Sequence, residues 1–251
     1  MTTTVAEFID VSKTYAHGWP RRPVAAVEGV GLRAEAGEVL GLLGPNRAGK
    51  TTLIKMLLGL CRPTGGEVLR LGRPAADRAT LARVGYVHEN QAFPRYLTAA
   101  GLLEFYGALS LVPYQQVRER VPQLLERVGL ADRSNEPIAR FSKGMLQRLA
   151  LAQALVNDPE LLVLGEPLEG LDLSARQTLH EVVRDLRKQG RTVLLVSHVL
   201  GEVEQLCDRV SVLVGGKLVF VGPLAELTRS RGGKGRSLEE ALRDLYRKVS
   251  A

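Results

Sequence analysis

An α/β fold, with a mainly parallel sheet and a helical insertion in its middle, is predicted by three features of this 251-residue chain. Short β-rich runs dominate the first third, a helical pattern takes over from about Thr98 to Asn157, and strand signals then return in alternation with helix-length segments. The third feature is local. An apolar run, Val39 to Leu43, turns through Gly44-Pro45-Asn46-Arg47-Ala48-Gly49-Lys50-Thr51-Thr52 into an apolar-periodic segment from Leu53 to Leu60. A strand that turns through glycines into a helix aims several backbone N–H groups, and the positive end of the helix dipole, at one point, and so forms a cradle for phosphate. In such a loop Lys50 reaches the β- and γ-phosphates and the Thr51 hydroxyl ligates Mg²⁺.

The elements follow in order. Strands are expected at Val5 to Val11, Val24 to Leu32, Val39 to Leu43, Glu67 to Leu71 and Val84 to Val87, punctuated by Gly and Pro. Between the first two, Ala16 to Pro23, with His17, Trp19 and Arg21-Arg22, reads as a long exposed hairpin tip to which no chemistry can be assigned. Helices are expected at Thr98 to Leu109, Tyr114 to Gly129 and Ser142 to Asn157. Strands at Leu161 to Leu164, Thr192 to Ser197 and Val210 to Val214 are separated by helices at Leu173 to Lys188 and Leu200 to Cys207. The polar, Gly-rich stretch Arg229 to Ser237 reads as a hinge before a last amphipathic helix, Leu238 to Val249.

Composition narrows the class. With 45% hydrophobic residues the chain can bury a full core and is expected to form one compound domain. Only Cys61 and Cys207 occur, in no metal or redox spacing, and the four histidines are scattered, so a thiolate or imidazole metal cluster is not expected. The N-terminus lacks the pattern of a signal peptide and no run approaches the roughly twenty apolar residues that span a bilayer, so a cytosolic protein is expected, with any membrane role coming through a partner. The formal charge of +7, concentrated in arginines near the end, reads chiefly as a solvated face.

Four further motifs follow the phosphate loop. Phe141-Ser142-Lys143-Gly144-Met145-Leu146-Gln147-Arg148-Leu149 opens a helix with Ser142 as a natural N-cap, presenting free N–H groups to an anion. Leu161 to Leu164 is an apolar strand leading into Gly165-Glu166-Pro167, then Glu169-Gly170-Leu171-Asp172. Thr192 to Ser197 is an apolar strand ending at His198, and Tyr15 is an aromatic placed where it can stack on a base. Together these residues resemble the ATP-binding subunit of ABC transporters, over about Val5 to Gly222. The form Ser-Lys-Gly-Met with Gln-Arg, and the run Gly85-Tyr86-Val87-His88-Glu89-Asn90, look most like the branch serving ABC-2-type exporters.

The resemblance implies a P-loop NTPase core with a mainly parallel sheet (about 1–90 and 158–225), an N-terminal antiparallel β subdomain, a helical subdomain (about 91–157) and a basic helical tail (231–251), the ATPase domain proper being 1–230. It implies ATP and Mg²⁺ as ligands. It also implies a homodimer, or a heterodimer with another such subunit, in which ATP is held between the phosphate loop of one copy and the Ser142–Gly144 segment of the other. A separate membrane permease would hold the pair at the inner face of the cell membrane. Glu166 would orient or deprotonate the attacking water, and His198 would sense the γ-phosphate. Tyr15 would stack on adenine, Glu89 would approach the metal and water, and Asp172, unless Ser174 takes the role, would cap the next helix near the dimer seam. A soluble relative acting on nucleic acid or ribosomes is the alternative suggested by the basic balance, but the chain has neither the long coiled-coil insertion nor the second cassette usual there, and no stable nucleic acid is expected.

Three residues depart from the family pattern. Gly165 stands where an aspartate normally helps to hold Mg²⁺, so metal affinity should drop and the water near Glu166 should be less ordered; this permits a weakened subunit working beside an intact one. Glu89 stands where many relatives carry glutamine, and its charge is a conceivable substitute for the missing carboxylate. Arg47 stands where glycine is usual; its side chain either adds a cation to the phosphate site or points to solvent.

Overall fold

A computed structural model describes residues 3–16, 23–89, 91–167, 173–229 and 236–250, apart from the side chains of 248–250. Its chain divides into two units, residues 1–80 with 194–251, and residues 81–193.

In the first unit, β1 (Thr4–Tyr15) pairs antiparallel with β2 (Val24–Glu35) and with β4 (Gly65–Arg70), and β4 with the two-residue β5 (Arg73–Pro74). This is the expected antiparallel subdomain. Tyr15 faces Val24 at the last pair of the β1–β2 ladder. His17, Trp19, Arg21 and Arg22 lie outside the described residues. Arg70 is fully buried, and its guanidinium donates to the Thr80 hydroxyl and to the carbonyls of Leu57, Ala75 and Asp77, so the burial of its charge is matched by four acceptors.

The same unit holds β3 (Val39–Leu43), all of whose residues are buried, parallel to β9 (Arg209–Val214). A continuous apolar run of this kind is what a parallel strand covered on both faces requires. The Gly215-Gly216 turn, both residues at positive φ, returns the chain into β10 (Lys217–Pro223), antiparallel to β9. α1 (Lys50–Leu57) follows the phosphate loop, α6 (Leu200–Leu206) follows His198, and α7 (Leu224–Leu227) follows β10. The last helix, α8 (Leu238–Ser250), is started by a reciprocal cap: the Glu240 N–H donates to Ser237 Oγ at 3.2 Å and the Ser237 N–H to Glu240 Oε2 at 3.1 Å.

In the second unit, β6 (Val84–Val87) and β7 (Leu161–Gly165) are parallel, with Val87 beside Leu164. Between them run α2 (Ala99–Leu109), α3 (Tyr114–Arg127) and α4 (Lys143–Leu155). α3 buries Val117, Val121, Leu124 and Leu125, the spacing of one helical face. α5 (Leu173–Lys188) does the same with Ala175, Leu179, Val182, Val183 and Leu186. The unit boundary falls inside β8 (Thr192–Val196), a fully buried strand. Among the described residues no helix is long and apolar enough to cross a membrane.

Candidate nucleotide site

In the first unit the β3–α1 connection has the geometry that the sequence implies. Gly44 has φ +148°, and a Cβ there would stand 2.2 Å from the Leu213 carbonyl oxygen, so only glycine can leave β3 at this point. Gly49, at φ +106°, is the residue that enters α1. Lys50 is buried and folds back over the loop, donating from Nζ to the carbonyls of Gly44 (2.6 Å) and Pro45 (3.0 Å). Pro45, Asn46 and Arg47 are exposed, Ala48 is buried, and Thr51 is exposed one residue into the helix. Arg47 adopts a left-handed backbone, φ +66°, and is exposed.

The loop is supported from a direction that the sequence reading did not identify. The Gly216 N–H donates to the Ala48 carbonyl (3.1 Å), and the Glu28 N–H donates to the Gly216 carbonyl (2.9 Å). The β9–β10 turn thus braces the phosphate loop, while Leu213 sets how close Gly44 comes. The available signal was the Gly-Gly pair after the Val210 to Val214 run, a hairpin signature that also marks the unread β10.

Tyr15 and Thr52 meet in this unit. Burial raises the Tyr15 phenol above its usual pKa, while a hydrogen bond with the Thr52 side chain pulls it back. The hydroxyl lies 3.9 Å from Cys61 Sγ, and Lys13 Nζ sits 5.2 Å from the ring centroid, with a further bond from Nζ to the Arg62 carbonyl. One ring face therefore carries a cation, and a stacking base would take the other. The second cysteine, Cys207, is a packed thiol whose pKa burial pushes up to about 12, which makes it a poor nucleophile at neutral pH. His198 follows the end of β8 and is exposed; the preceding Ser197 is buried and accepts the Val199 N–H at 3.0 Å. His198 lines the same cleft as Gly44, Pro45 and Asn46.

In the second unit, Glu166 stands just past the end of β7, half-buried, with φ +48°, an uncommon conformation for a residue with a side chain. Gly165 before it has ordinary extended backbone; a Cβ would find the Val87 carbonyl oxygen at 3.3 Å and the Glu89 nitrogen at 3.6 Å. The backbone at this strand end is thus regular. Glu89 is exposed, and its charge adds to burial in raising the Tyr86 phenol pKa, burial being the larger cause. Ser142 caps α4 as expected, its Oγ accepting the Met145 N–H at 3.2 Å, and Gly144 lies in the first turn. From that helix Gln147 Nε2 donates to the Pro167 carbonyl at 3.0 Å, tying the capped helix to the segment that carries Glu166. Asp172 lies outside the described residues.

For Mg²⁺ the first unit offers the Thr51 hydroxyl, a hard oxygen ligand at the start of α1, which fits the ion only in part: nucleotide phosphate oxygens and water would make up the rest. In the second unit, position 165 carries no carboxylate.

Comparison with known proteins adds independent findings. Residues 27–169 match the family described as ABC transporter. An uncharacterized ABC transporter ATP-binding protein of Nostoc sp. is 46% identical over 233 residues, covering 92% of this chain and 70% of the relative. A Nod factor export ATP-binding protein I of Rhizobium etli is 39% identical over 224 residues, covering 88% and 69%. One from Neorhizobium galegae covers 80% of this chain and 59% of the relative, at 39% identity. Among solved structures, an ATP-binding subunit of an ABC transporter superposes with a TM-score of 0.85 at 30% identity, covering 96% of this chain and 99% of the other.

Proposed function

This chain belongs to the ABC transporter family, and on that premise we propose that it is an ATP-binding and ATP-hydrolysing subunit that powers a separate membrane permease of the ABC-2 exporter type. The observation that carries the reading is the phosphate loop: glycine geometry at both ends, a buried lysine folded over it, and a helix whose first N–H groups open beside an exposed threonine. On ATP binding, Lys50 exchanges the Gly44 and Pro45 carbonyls for phosphate oxygens, a stronger charge-assisted bond. Thr51 and the phosphates would hold Mg²⁺, which would neutralise charge on the triphosphate. Glu166 orients or deprotonates the attacking water, and His198 donates to the γ-phosphate.

The Ser142 cap belongs in this scheme as the anion-facing end of a helix, serving a nucleotide held by a second copy or by a related subunit. A solved ATP-binding cassette described as dimeric and bound to ADP and Pi shares the fold, with a TM-score of 0.76 at 24% identity. Export as the direction is supported by the names of the Nod factor relatives. The permease would dock on the second unit, where Tyr96, Phe105, Leu109, Leu111 and Tyr114 are exposed large apolar side chains within one short stretch, and would thereby hold the subunit at the cytoplasmic face of the membrane.

Equilibrium dialysis with MgATP tests the central claim. Retention by the wild-type chain and its loss in Lys50→Ala are expected; no retention, or equal retention by both proteins, refutes it. A second reading, a catalytically weakened subunit acting beside an intact partner, is favoured by one observation, the missing carboxylate at Gly165. Restoring that carboxylate would raise the ATPase rate under this reading and leave it unchanged if Gly165 is harmless.

A further inference from the structure

α8 carries two rows of side chains. Leu238, Ala241 and Leu242 are buried and fix the helix to the first unit, where the Leu238 N–H also donates to Glu204 of α6 (3.3 Å) and Arg236 ties the helix start to the Leu227 carbonyl and to Asp244. Glu239, Arg243 and Tyr246 form the second row, at helical spacings of four and three. These three, with Leu242, make one wall of a cleft of about 440 Å³, the size of a small-molecule site. The same cleft is lined by the start of the phosphate loop, Gly44, Pro45 and Asn46, together with Ser197 and His198. Neither sequence motif nor family pattern assigns these α8 residues a role.

Arg243 is paired with Glu239 at 2.9 Å, yet their side chains are 58% and 69% exposed. A pair so exposed is weak. A polyphosphate offers a guanidinium more charge and a matching two-point geometry.

We propose that Arg243 is a further nucleotide contact, supplied by the C-terminal helix, which leaves Glu239 for the terminal phosphate when ATP occupies the loop. This rests on the reading of the loop as an ATP site and goes beyond it. The exchange makes the Glu239–Arg243 pair a two-state element: with Arg243 on Glu239 the cleft presents a neutralised wall, and with Arg243 on phosphate it presents a freed carboxylate to the α8 surface. ATP, which carries the γ-phosphate, drives the exchange more strongly than ADP. The C-terminal helix thereby reports which nucleotide is bound.

The test is nucleotide affinity of the full chain with Mg²⁺, measured for ATP and ADP. Arg243→Ala should weaken ATP about tenfold, the worth of one exposed charge-assisted contact, and ADP by less than about twofold. Glu239→Gln should tighten ATP, and the double variant should match Arg243→Ala alone, because the gain operates through the arginine. Arg243→Lys should recover part of the loss. A merely structural role for the pair would move both nucleotides together and would appear in the melting temperature. ATP affinity within twofold of wild type in Arg243→Ala, an equal loss for ADP, or a Glu239→Gln gain that persists in the double variant overturns the proposal. The nucleotide reading itself is judged separately, by wild-type retention of ATP and its loss in Lys50→Ala.

Discussion

Gly165→Asp adds a side chain at the end of β7, where the backbone is extended and places no demand for glycine. Removing a glycine from a strand interior recovers about 0.5–1 kcal/mol of unfolded-state freedom. Against this, the new Cβ lies 3.3 Å from the Val87 carbonyl oxygen, which must give by a few tenths of an ångström, and aspartate is disfavoured in strands on a scale spanning about 1 kcal/mol. These contributions nearly cancel, so folding stability should stay within about 1 kcal/mol of wild type. The chemical effect is larger. Loss of an outer-shell metal partner typically costs about 10–100-fold in metal affinity or activity, and restoring one should recover a similar factor. The assay is steady-state ATP hydrolysis against Mg²⁺ concentration, with a urea melt on the same preparation. A half-saturating Mg²⁺ concentration and a maximal rate both within twofold of wild type would show that the missing carboxylate has no consequence. A loss of more than about 3 kcal/mol in the melt would contradict the space that the geometry assigns to the side chain.

Arg47→Gly should stabilise the chain by about 0–1.5 kcal/mol in the same urea melt, since a left-handed backbone costs an L-residue about 1–2 kcal/mol and glycine returns about 0.5–1 through its unfolded freedom. Arg83→Ala should show a pH-dependent deficit. The Arg83 guanidinium hydrogen-bonds both oxygens of the Glu160 carboxylate and holds its pKa below the usual value, so the pair's contribution is present above the ordinary carboxylate range and is lost as pH falls through the depressed value. Thermal melts at neutral and strongly acidic pH should therefore show a small deficit at the first, within the ~0–1 kcal/mol of an exposed pair, and none at the second.

Much of this was legible because apolar patterning and glycine placement act locally. Val39 to Leu43 and Val84 to Val87 are read to the residue, each being a short run whose residues are buried or, at Tyr86, half-buried. α2, α3 and α4 are read to within two residues at either end, their amphipathic spacing being long enough to average over exceptions. The apolar-periodic segment Leu53 to Leu60 falls in α1 as far as Leu57. α1 begins at Lys50, because glycine φ values at the loop rather than apolar periodicity set the start of the helix, and it ends at Leu57. β10 was missed because Lys217 to Pro223 is only half covered and shows little alternation of apolar and polar residues. The candidate residues stand in local motifs, whereas their supports do not. The Gly216 amide on Ala48 and the α8 wall of the cleft depend on segments far along the chain from the phosphate loop, and no local pattern records such a meeting.

The departures at positions 47 and 165 are opposite in physical kind. At 47 the loop turns through φ +66°, the alternation that lets successive N–H groups converge on an anion, and the chain supplies an arginine where that backbone favours glycine. Because the residue is exposed and the backbone still makes the turn, the expected effect of the substitution is on stability, with the turn of the loop kept. At 165 the backbone is ordinary and the chain supplies a glycine where nothing in the geometry asks for one, so what is absent is a carboxylate beside Glu166 and Glu89. On the proposed reading that substitution bears on metal binding rather than on the fold. Glu166, at φ +48°, keeps its side chain in a conformation that costs energy, which a strand end built only for packing would have no reason to retain. On the proposed reading Glu166 positions water in a subunit that holds Mg²⁺ less firmly, so Mg²⁺ dependence, rather than the presence or absence of hydrolysis, is the decisive measurement.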